Sequence, residues 1–256
     1  MKKKPSHLYR LIRALVQLFY PKTAVKYLHE IPCEPVIYVA NHAQMHGPIA
    51  CELYLPGQHC TWCAGEMMQL KEVPDYAFQD FWSRKPRYSR WFFRLLSYII
   101  APLSVVVFNN ANTIGVYHDS RILSTFRQTV QQLQQGYSIV IFPEYDTRNN
   151  AIVNAFQDRF VDVAKLYYKR TGREVLFVPL YIAPKLGTMY VGEGVRFDAA
   201  QPLEQQRRCI AQTMSQRITT IARDLPAHRV VPYSNIPKRK YPTNLDKEHV
   251  YESTCC

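Results

Sequence analysis

The fold is decided by residues 35–47, which read PVIYVANHAQMHG. The short apolar run 36–40 follows a proline, as is typical of a buried strand, and it ends at Asn41-His42. Ligands in open α/β sheets bind beyond the carboxyl ends of strands, so this turn is expected to carry chemistry. Histidine changes charge near neutral pH, which makes His42 a candidate general base. The alternative is a histidine that only caps the following helix.

The rest of the chain alternates predicted strands with predicted helices. Further strands are expected at 60–64, 138–142 and 175–182, with a hairpin-like segment at 189–197. Helices are expected at 47–55, 117–135, 153–169 and 203–223. The apolar stretch 91–108 is interpreted as a helix that ends before Pro102 and a strand at 104–108, because proline interrupts helices. The alternation predicts an α/β fold with a mixed, largely parallel sheet flanked by helices.

The strand at 138–142 runs into Pro143-Glu144. Because the carboxyl ends of parallel strands lie at one edge of a sheet, Glu144 is expected near His42. The two residues form the natural active-site pair.

The N-terminal residues have the pattern of a basic amphipathic helix. Residues 6–20 place leucines at helical spacing opposite Arg10, Arg13 and Gln17, and lysines flank the segment. Such a helix can lie on an anionic bilayer, although an ordinary helix packed on the domain has the same pattern. We therefore divide the chain into a membrane-association segment (1–29), a catalytic domain (30–225) and an irregular basic arm (226–256).

Composition limits the classes of partner. The formal net charge of +12 favours negatively charged partners, and no zinc-finger, homeodomain, RRM or KH signature supports nucleic acid. The seven cysteines are odd in number and irregularly spaced, which favours reduced thiols in the cytoplasm. Cys60 and Cys63 form a single Cys-x-x-Cys pair without a second pair, so no metal site is predicted.

Three motifs carry a family resemblance: Asn41-His42, Phe142-Pro143-Glu144 and Val178-Pro179-Leu180. Their order and spacing resemble the glycerolipid acyltransferases, the lysophosphatidic acid acyltransferase-like proteins, over roughly residues 30–222. The resemblance implies acyl transfer from acyl-CoA or acyl carrier protein to a hydroxyl of a lysophospholipid or related lipid. It also implies that His42 deprotonates that hydroxyl, without a metal, a cofactor or a covalent enzyme intermediate. The expected location is the cytoplasmic face of a membrane, with peripheral or monotopic attachment to anionic lipids.

The chain departs from the family pattern at two places. Gly47 stands where the family carries the Asp that orients the histidine, so Glu144, Asp146, His46 or the Gln44 amide is expected to take that role. Asn109 stands where the family offers an Arg for phosphate, which favours a non-phosphorylated acceptor unless Arg148 or Arg121 compensates.

The predicted site has a catalytic and a substrate-binding group. The catalytic residues are His42, Glu144 and Asp146. The substrate-binding residues are Asn41, Gln44, Asn109, Pro143, Thr147 and Arg148. Two alternatives stay open: a lipid-binding relative that has lost the His–Asp pair, and an acyltransferase with a non-phosphorylated acceptor.

Overall fold

A computed structural model describes residues 5–83, 85–145 and 150–246. The predicted site residues Asp146, Thr147 and Arg148 lie outside the described residues. The chain divides into two compact units. The first unit holds residues 1–20 and 60–128, and the second holds residues 21–59 and 129–256.

The elements follow one another in this order. The α-helices are α1 (His7–Phe19), α2 (His46–Tyr54), α3 (Val73–Ala77), α4 (Arg90–Asn110), α5 (Ile122–Gln134), α6 (Asp162–Thr171) and α7 (Leu203–Arg223). The strands are β1 (Ala24–Tyr27), β2 (Ile37–Ala40), β3 (His59–Ala64), β4 (Thr113–Val116), β5 (Ser138–Ile141), β6 (Leu176–Ala183), β7 (Thr188–Val191) and β8 (Val195–Arg196). Short 3-10 or π-helical turns lie at Gly65–Met68, Phe78–Trp82, Arg87–Ser89, Arg159–Val161 and Lys238–Lys240.

The second unit is built on a mixed sheet in the order β1-β7-β6-β2-β5, with β8 paired to β6. Strands β6, β2 and β5 run parallel, as do β1 and β7, whereas β6 pairs antiparallel with β7 and β8. The predicted α/β class with a mixed, largely parallel sheet is confirmed. Strand β2 is buried along its whole length, as its continuous apolar run requires.

Helix α7 covers one face of this sheet. Its bounds agree with the predicted helix at 203–223. Ile218, Ile221 and Ala222 pack in one buried cluster with Tyr181 of β6 and Tyr190 of β7. The second unit therefore has an apolar core between α7 and the strands β6 and β7.

The first unit contains the parallel pair β3 and β4 and the long helix α4. The predicted helix end before Pro102 and the strand at 104–108 are wrong, because α4 continues through the proline to Asn110. Buried contacts hold the helix on both sides of Pro102: Ala101 packs with Met67, and the Ser104 hydroxyl donates to the Met67 carbonyl at 2.9 Å. Tertiary packing thus overrides the local effect of proline.

Several boundaries differ from the sequence-based expectation. Helix α5 begins at Ile122 and not at 117, and α6 begins at Asp162 and not at 153. The short strands β1 and β4 were not predicted. β8 pairs with β6, so the hairpin is formed by β6 and β7 and not within 189–197.

Helices α1 and α4 of the first unit pack together and leave apolar stripes exposed. The Ser6 amide donates to the Asn110 side chain at 2.7 Å. Phe19 is 82% exposed and Trp91 is 70% exposed. Exposed large apolar side chains recur at Leu8, Leu11, Leu15 and Leu18 of α1, and at Phe92, Leu95, Tyr98, Ile99 and Leu103 of α4. Among the described residues, the helical stretch Arg87–Asn110 alone is long and apolar enough to cross a membrane.

Candidate active site

Asn41 extends the strand pairing at the carboxyl end of β2. Its side-chain amide donates to the Ile182 carbonyl at 3.0 Å, and its side-chain oxygen accepts from the Ile182 amide at 2.6 Å. The side chain is 1% exposed. Two buried hydrogen bonds of this kind contribute about 1 kcal/mol each and direct the chain into the turn that follows.

Glu144 holds the main chain of this turn. One carboxylate oxygen accepts from the His42 amide at 2.6 Å, and the other accepts from the Asn154 amide at 2.8 Å. Burial raises the pKa of Glu144 to about 7, against the opposing effect of these two N–H donors. Glu144 and His42 are therefore neighbours, as predicted, and the observed bond is made to the His42 amide nitrogen.

The backbone after His42 adopts an unusual conformation. Ala43 and Gln44 have φ values of 47° and 54°, in the left-handed region that residues other than glycine rarely occupy. Each such residue costs about 1–2 kcal/mol. The conformation turns the Gln44 carbonyl back toward the imidazole, where its oxygen is hydrogen-bonded to Nδ1 of His42. The strained turn thus brings a main-chain oxygen to the position that an orienting carboxylate would occupy.

This contact determines the tautomer of His42. A carbonyl oxygen can only accept a hydrogen bond, so Nδ1 must carry the proton in the neutral ring. The basic lone pair is then on Nε2, which suits a general base. The orienting groups expected from the sequence are Glu144, Asp146, His46 and the Gln44 side-chain amide. Glu144 contacts the main chain of His42, Asp146 lies outside the described residues, and Gln44 contributes its main-chain carbonyl and not its side chain.

Gly47 is packed too tightly for any side chain. A Cβ at this position would collide with the His42 carbonyl and lie 2.9 Å from the ring of Phe142. The Gly47 amide also donates to the His42 carbonyl at 3.0 Å. A side chain at position 47, an aspartate included, would therefore require these neighbours to shift.

The segment after α7 contributes to the same site. The Tyr233 ring packs edge-on against the His42 ring, with centroids 5.5 Å apart, and Phe142 contacts it from a second direction at 5.1 Å. The Gln44 side chain donates to the Ser234 carbonyl at 3.3 Å and accepts from the Tyr241 hydroxyl at 3.2 Å. Sequence reasoning missed Tyr233, Ser234 and Tyr241, because the only signal was the richness of this segment in Tyr, Pro and Lys.

His46 begins helix α2, four residues after His42. The pKa of His46 is lowered mainly by partial burial, and the positive charges of Lys185 and Lys238 lower it further. His46 is thus favoured as a neutral ring in a basic neighbourhood.

The other predicted site residues have structural contacts of their own. Pro143 is buried, and its carbonyl accepts from the Gln157 amide at 2.9 Å. Asn109 lies in the last turn of α4 in the first unit, where its side-chain amide donates to the carbonyls of Met68 and Val105. Its predicted position after a strand is wrong, because that strand is part of α4.

Arg121, considered as a compensating phosphate ligand, belongs to the first unit. Its guanidinium is paired with Glu72 at 3.0 Å and with Asp119 at 2.8 Å. Across the described residues, no three His, Cys, Asp or Glu side chains are grouped so that they could hold a metal ion.

Comparison with sequence-family models and with curated protein sequences gives no match. Among solved structures, the chain is similar to the 1-acyl-sn-glycerophosphate (LPA) acyltransferase PlsC from Thermotoga maritima, at 15% sequence identity and a TM-score of 0.43. The likeness covers 84% of this chain and 80% of that chain. It concerns the path of the backbone and carries no statement about activity.

Proposed function

We propose that this protein transfers an acyl group from a thioester carrier, acyl-CoA or acyl carrier protein, to the hydroxyl of a lysophospholipid or related lipid. His42 is the general base. One observation carries the proposal: the Gln44 carbonyl bonded to Nδ1 leaves the basic lone pair of His42 on Nε2. A base with a defined tautomer at a strand end is what deprotonation of an acceptor hydroxyl requires.

The reaction needs one base and no covalent enzyme intermediate. Nε2 of His42 takes the proton of the acceptor hydroxyl as its oxygen attacks the thioester carbonyl carbon. The tetrahedral intermediate collapses, the C–S bond breaks, and an ester forms. The imidazolium then returns its proton to the departing thiolate, which leaves as the free thiol of the carrier.

The Gln44 main-chain carbonyl takes over part of the role of an aspartate that orients a catalytic histidine. In serine-protease triads, replacing the aspartate by asparagine lowers turnover about 10⁴-fold because the histidine adopts the wrong tautomer. The Gln44 carbonyl enforces the correct tautomer, although it stabilises the imidazolium less than a full negative charge does. We therefore expect turnover, at a rate below that of a His–Asp pair.

Two features support acyl transfer to a lipid over other reactions that a histidine base could catalyse. The order of Asn41-His42, Phe142-Pro143-Glu144 and Val178-Pro179-Leu180 resembles the glycerolipid acyltransferases. The exposed apolar stripes of α1 and α4 suit a substrate that resides in a bilayer, because large exposed apolar patches mark interaction surfaces. The proposed location is the cytoplasmic face of a membrane, with basic residues near α1 facing anionic lipids.

The proposal is tested with the full chain and mixed-lipid vesicles. Acyl-CoA or acyl carrier protein is the donor, and the acceptors are a lysophospholipid and a monoacylglycerol, which lacks phosphate. Free thiol and acylated lipid are both quantified. Formation of both in equal amounts, abolished by His42→Ala and retained by the exposed control His29→Gln, is expected. Product formation that His42→Ala leaves unchanged would remove His42 as the base.

The competing function is lipid binding without turnover. It is favoured by Gly47, since the carboxylate of the family pattern is absent. Vesicle binding with no thiol release for either acceptor would select this alternative.

A further inference from the structure

The side chain of Gln44 is hydrogen-bonded to residues that follow α7 and lie outside the three motifs of the family resemblance. We define residues 226–246 as the closing segment. We propose that the closing segment positions the His42 imidazole, through Tyr241 and Gln44, in place of a side-chain carboxylate. The inference rests on the proposed role of His42 as a base, and it concerns positioning residues that do not touch the reacting atoms.

The turn after His42 needs external support. Consecutive left-handed residues such as Ala43 and Gln44 persist only where the surrounding structure over-determines them. Gln44 has such support at both ends of its side-chain amide: the Tyr241 hydroxyl donates to its oxygen at 3.2 Å, and its nitrogen donates to the Ser234 carbonyl at 3.3 Å. Both partners belong to the closing segment.

Gln44 therefore has two roles, one for its side chain and one for its main chain. The side chain of Gln44 is held by the closing segment, while its main-chain carbonyl holds Nδ1 of His42. Rotation of the Gln44 peptide would withdraw that carbonyl and release the tautomer. The hydroxyl of Tyr241 thus acts on the imidazole through Gln44.

A direct contact reinforces this arrangement. The Tyr233 ring lies edge-on to the His42 ring, with an interplanar angle of 83° and centroids 5.5 Å apart. Edge-to-face aromatic pairs have a preferred geometry, so this contact restricts rotation of the imidazole about its side-chain bonds.

The closing segment is itself firmly anchored. His228 and Asn244 exchange hydrogen bonds of 2.8 and 3.1 Å, which close the segment into a loop. The Asn244 side-chain amide donates to the Ala222 carbonyl at the end of α7, and the His228 ring contacts the Tyr181 hydroxyl at 2.7 Å. Val230 and Val231 are buried. A loop fixed at its base and buried along one arm can hold Gln44 in place.

The test compares Tyr241→Phe, which removes one oxygen atom, with Tyr168→Phe on the exposed part of α6 as the matched control. The protein is labelled with ¹⁵N-histidine, and the His42 signals are identified with His42→Gln. Chemical shifts of Nδ1 and Nε2 report the tautomer directly in the absence of substrate. Activity is measured separately with acyl-CoA and lysophospholipid.

Tyr241→Phe is expected to move the His42 nitrogens from a single Nδ1–H tautomer toward an averaged pair, with Tm nearly unchanged. It should lower kcat about 10- to 100-fold while the KM for acyl-CoA changes little, because misorientation of a catalytic group affects the chemical step. Gln44→Leu, which removes both side-chain hydrogen bonds, should have a larger effect in the same direction. Tyr168→Phe should match the wild type in both measurements.

Wild-type ¹⁵N shifts of His42 in both Tyr241→Phe and Gln44→Leu would overturn the inference. Altered shifts in the two variants, together with a wild-type protein that transfers no acyl group, would support the positioning role and reject the proposed function. The two claims can thus fail separately.

Discussion

The Gly47 amide donates a hydrogen bond of 3.0 Å to the carbonyl oxygen of His42, at the position where the resembling family carries an aspartate. An aspartate introduced at position 47 is therefore not expected to form a His–Asp pair. Gly47→Ala should lower the free energy of unfolding by about 1–3 kcal/mol through overpacking against His42 and Phe142, and Gly47→Asp should lower it more. Urea unfolding and turnover are the measurements.

Gly136→Ala is the matched control for Gly47. A Cβ at position 136 meets nothing within 4 Å, so only its φ of +89° opposes the substitution. The cost should be about 1 kcal/mol, with unchanged turnover. A Gly47→Asp protein that is as stable as the wild type and more active would contradict the packing described for this turn.

Glu144 should make stability depend on pH. Its pKa is raised from an ordinary 4.5 to about 7 by burial, so the folded protein keeps a proton that the unfolded chain releases. The resulting stabilisation is complete below pH 4.5 and is lost as pH rises through 7, with a total of about 3 kcal/mol. Glu144→Gln, which is neutral at every pH, should remove this slope.

Urea unfolding at pH 5 and pH 8 measures the difference. The exposed Glu30→Gln serves as the control and should retain the wild-type slope, because solvent surrounds that side chain. An unaltered slope in Glu144→Gln would show that Glu144 is not the group responsible.

Asn41 is expected to contribute chiefly to stability. Asn41→Ala leaves the buried amide and carbonyl of Ile182 without their partner, which should cost about 3 kcal/mol. Asn41→Asp keeps the acceptor for the Ile182 amide but loses the donor and buries a carboxylate against the Ile182 carbonyl, so it should be at least as destabilising. Thermal unfolding checks the order, and the exposed Gln131→Ala should unfold as the wild type does. Equal stability of Asn41→Ala and the wild type would refute this role.

Helix α1 should be needed for vesicle binding. Leu15→Glu combined with Phe19→Glu places charges on the exposed apolar stripe and should weaken binding to anionic vesicles about 10-fold or more. Gln17→Glu adds charge to the exposed polar face of the same helix and should weaken binding much less. Vesicle flotation measures both. The double variant adds two negative charges and Gln17→Glu adds one, so a free-energy loss in the double variant that is only twice that of Gln17→Glu would mean that net charge alone controls binding.

The parts of the fold that sequence predicts are those with a local pattern. The apolar run of β2 and the helical periodicity of α7 are visible in short windows, and both elements form where they are expected. The path of α4 through Pro102 is not visible, because it depends on contacts such as that between Ser104 and Met67. Strand β1 is short and mostly exposed, so it lacks the apolar alternation that marks a strand.

The candidate site likewise combines residues that the sequence could predict with a group that it could not. His42 and Glu144 could be found because they follow two strand ends, and the absence of an aspartate at position 47 could be read directly. The Gln44 carbonyl that orients His42 could not be found from the sequence, because every residue has a main-chain carbonyl. Only the left-handed conformation of Ala43 and Gln44 selects one of them.

The contact between Gln44 and Tyr241 joins residues 197 positions apart in the chain. During synthesis, β2 and the turn after it leave the ribosome long before Tyr241 does. If the closing segment holds the turn as proposed, the nascent protein carries an unoriented base until residue 241 has emerged and folded back. Activity in this protein would then begin only after Tyr241 has been synthesised and has reached Gln44.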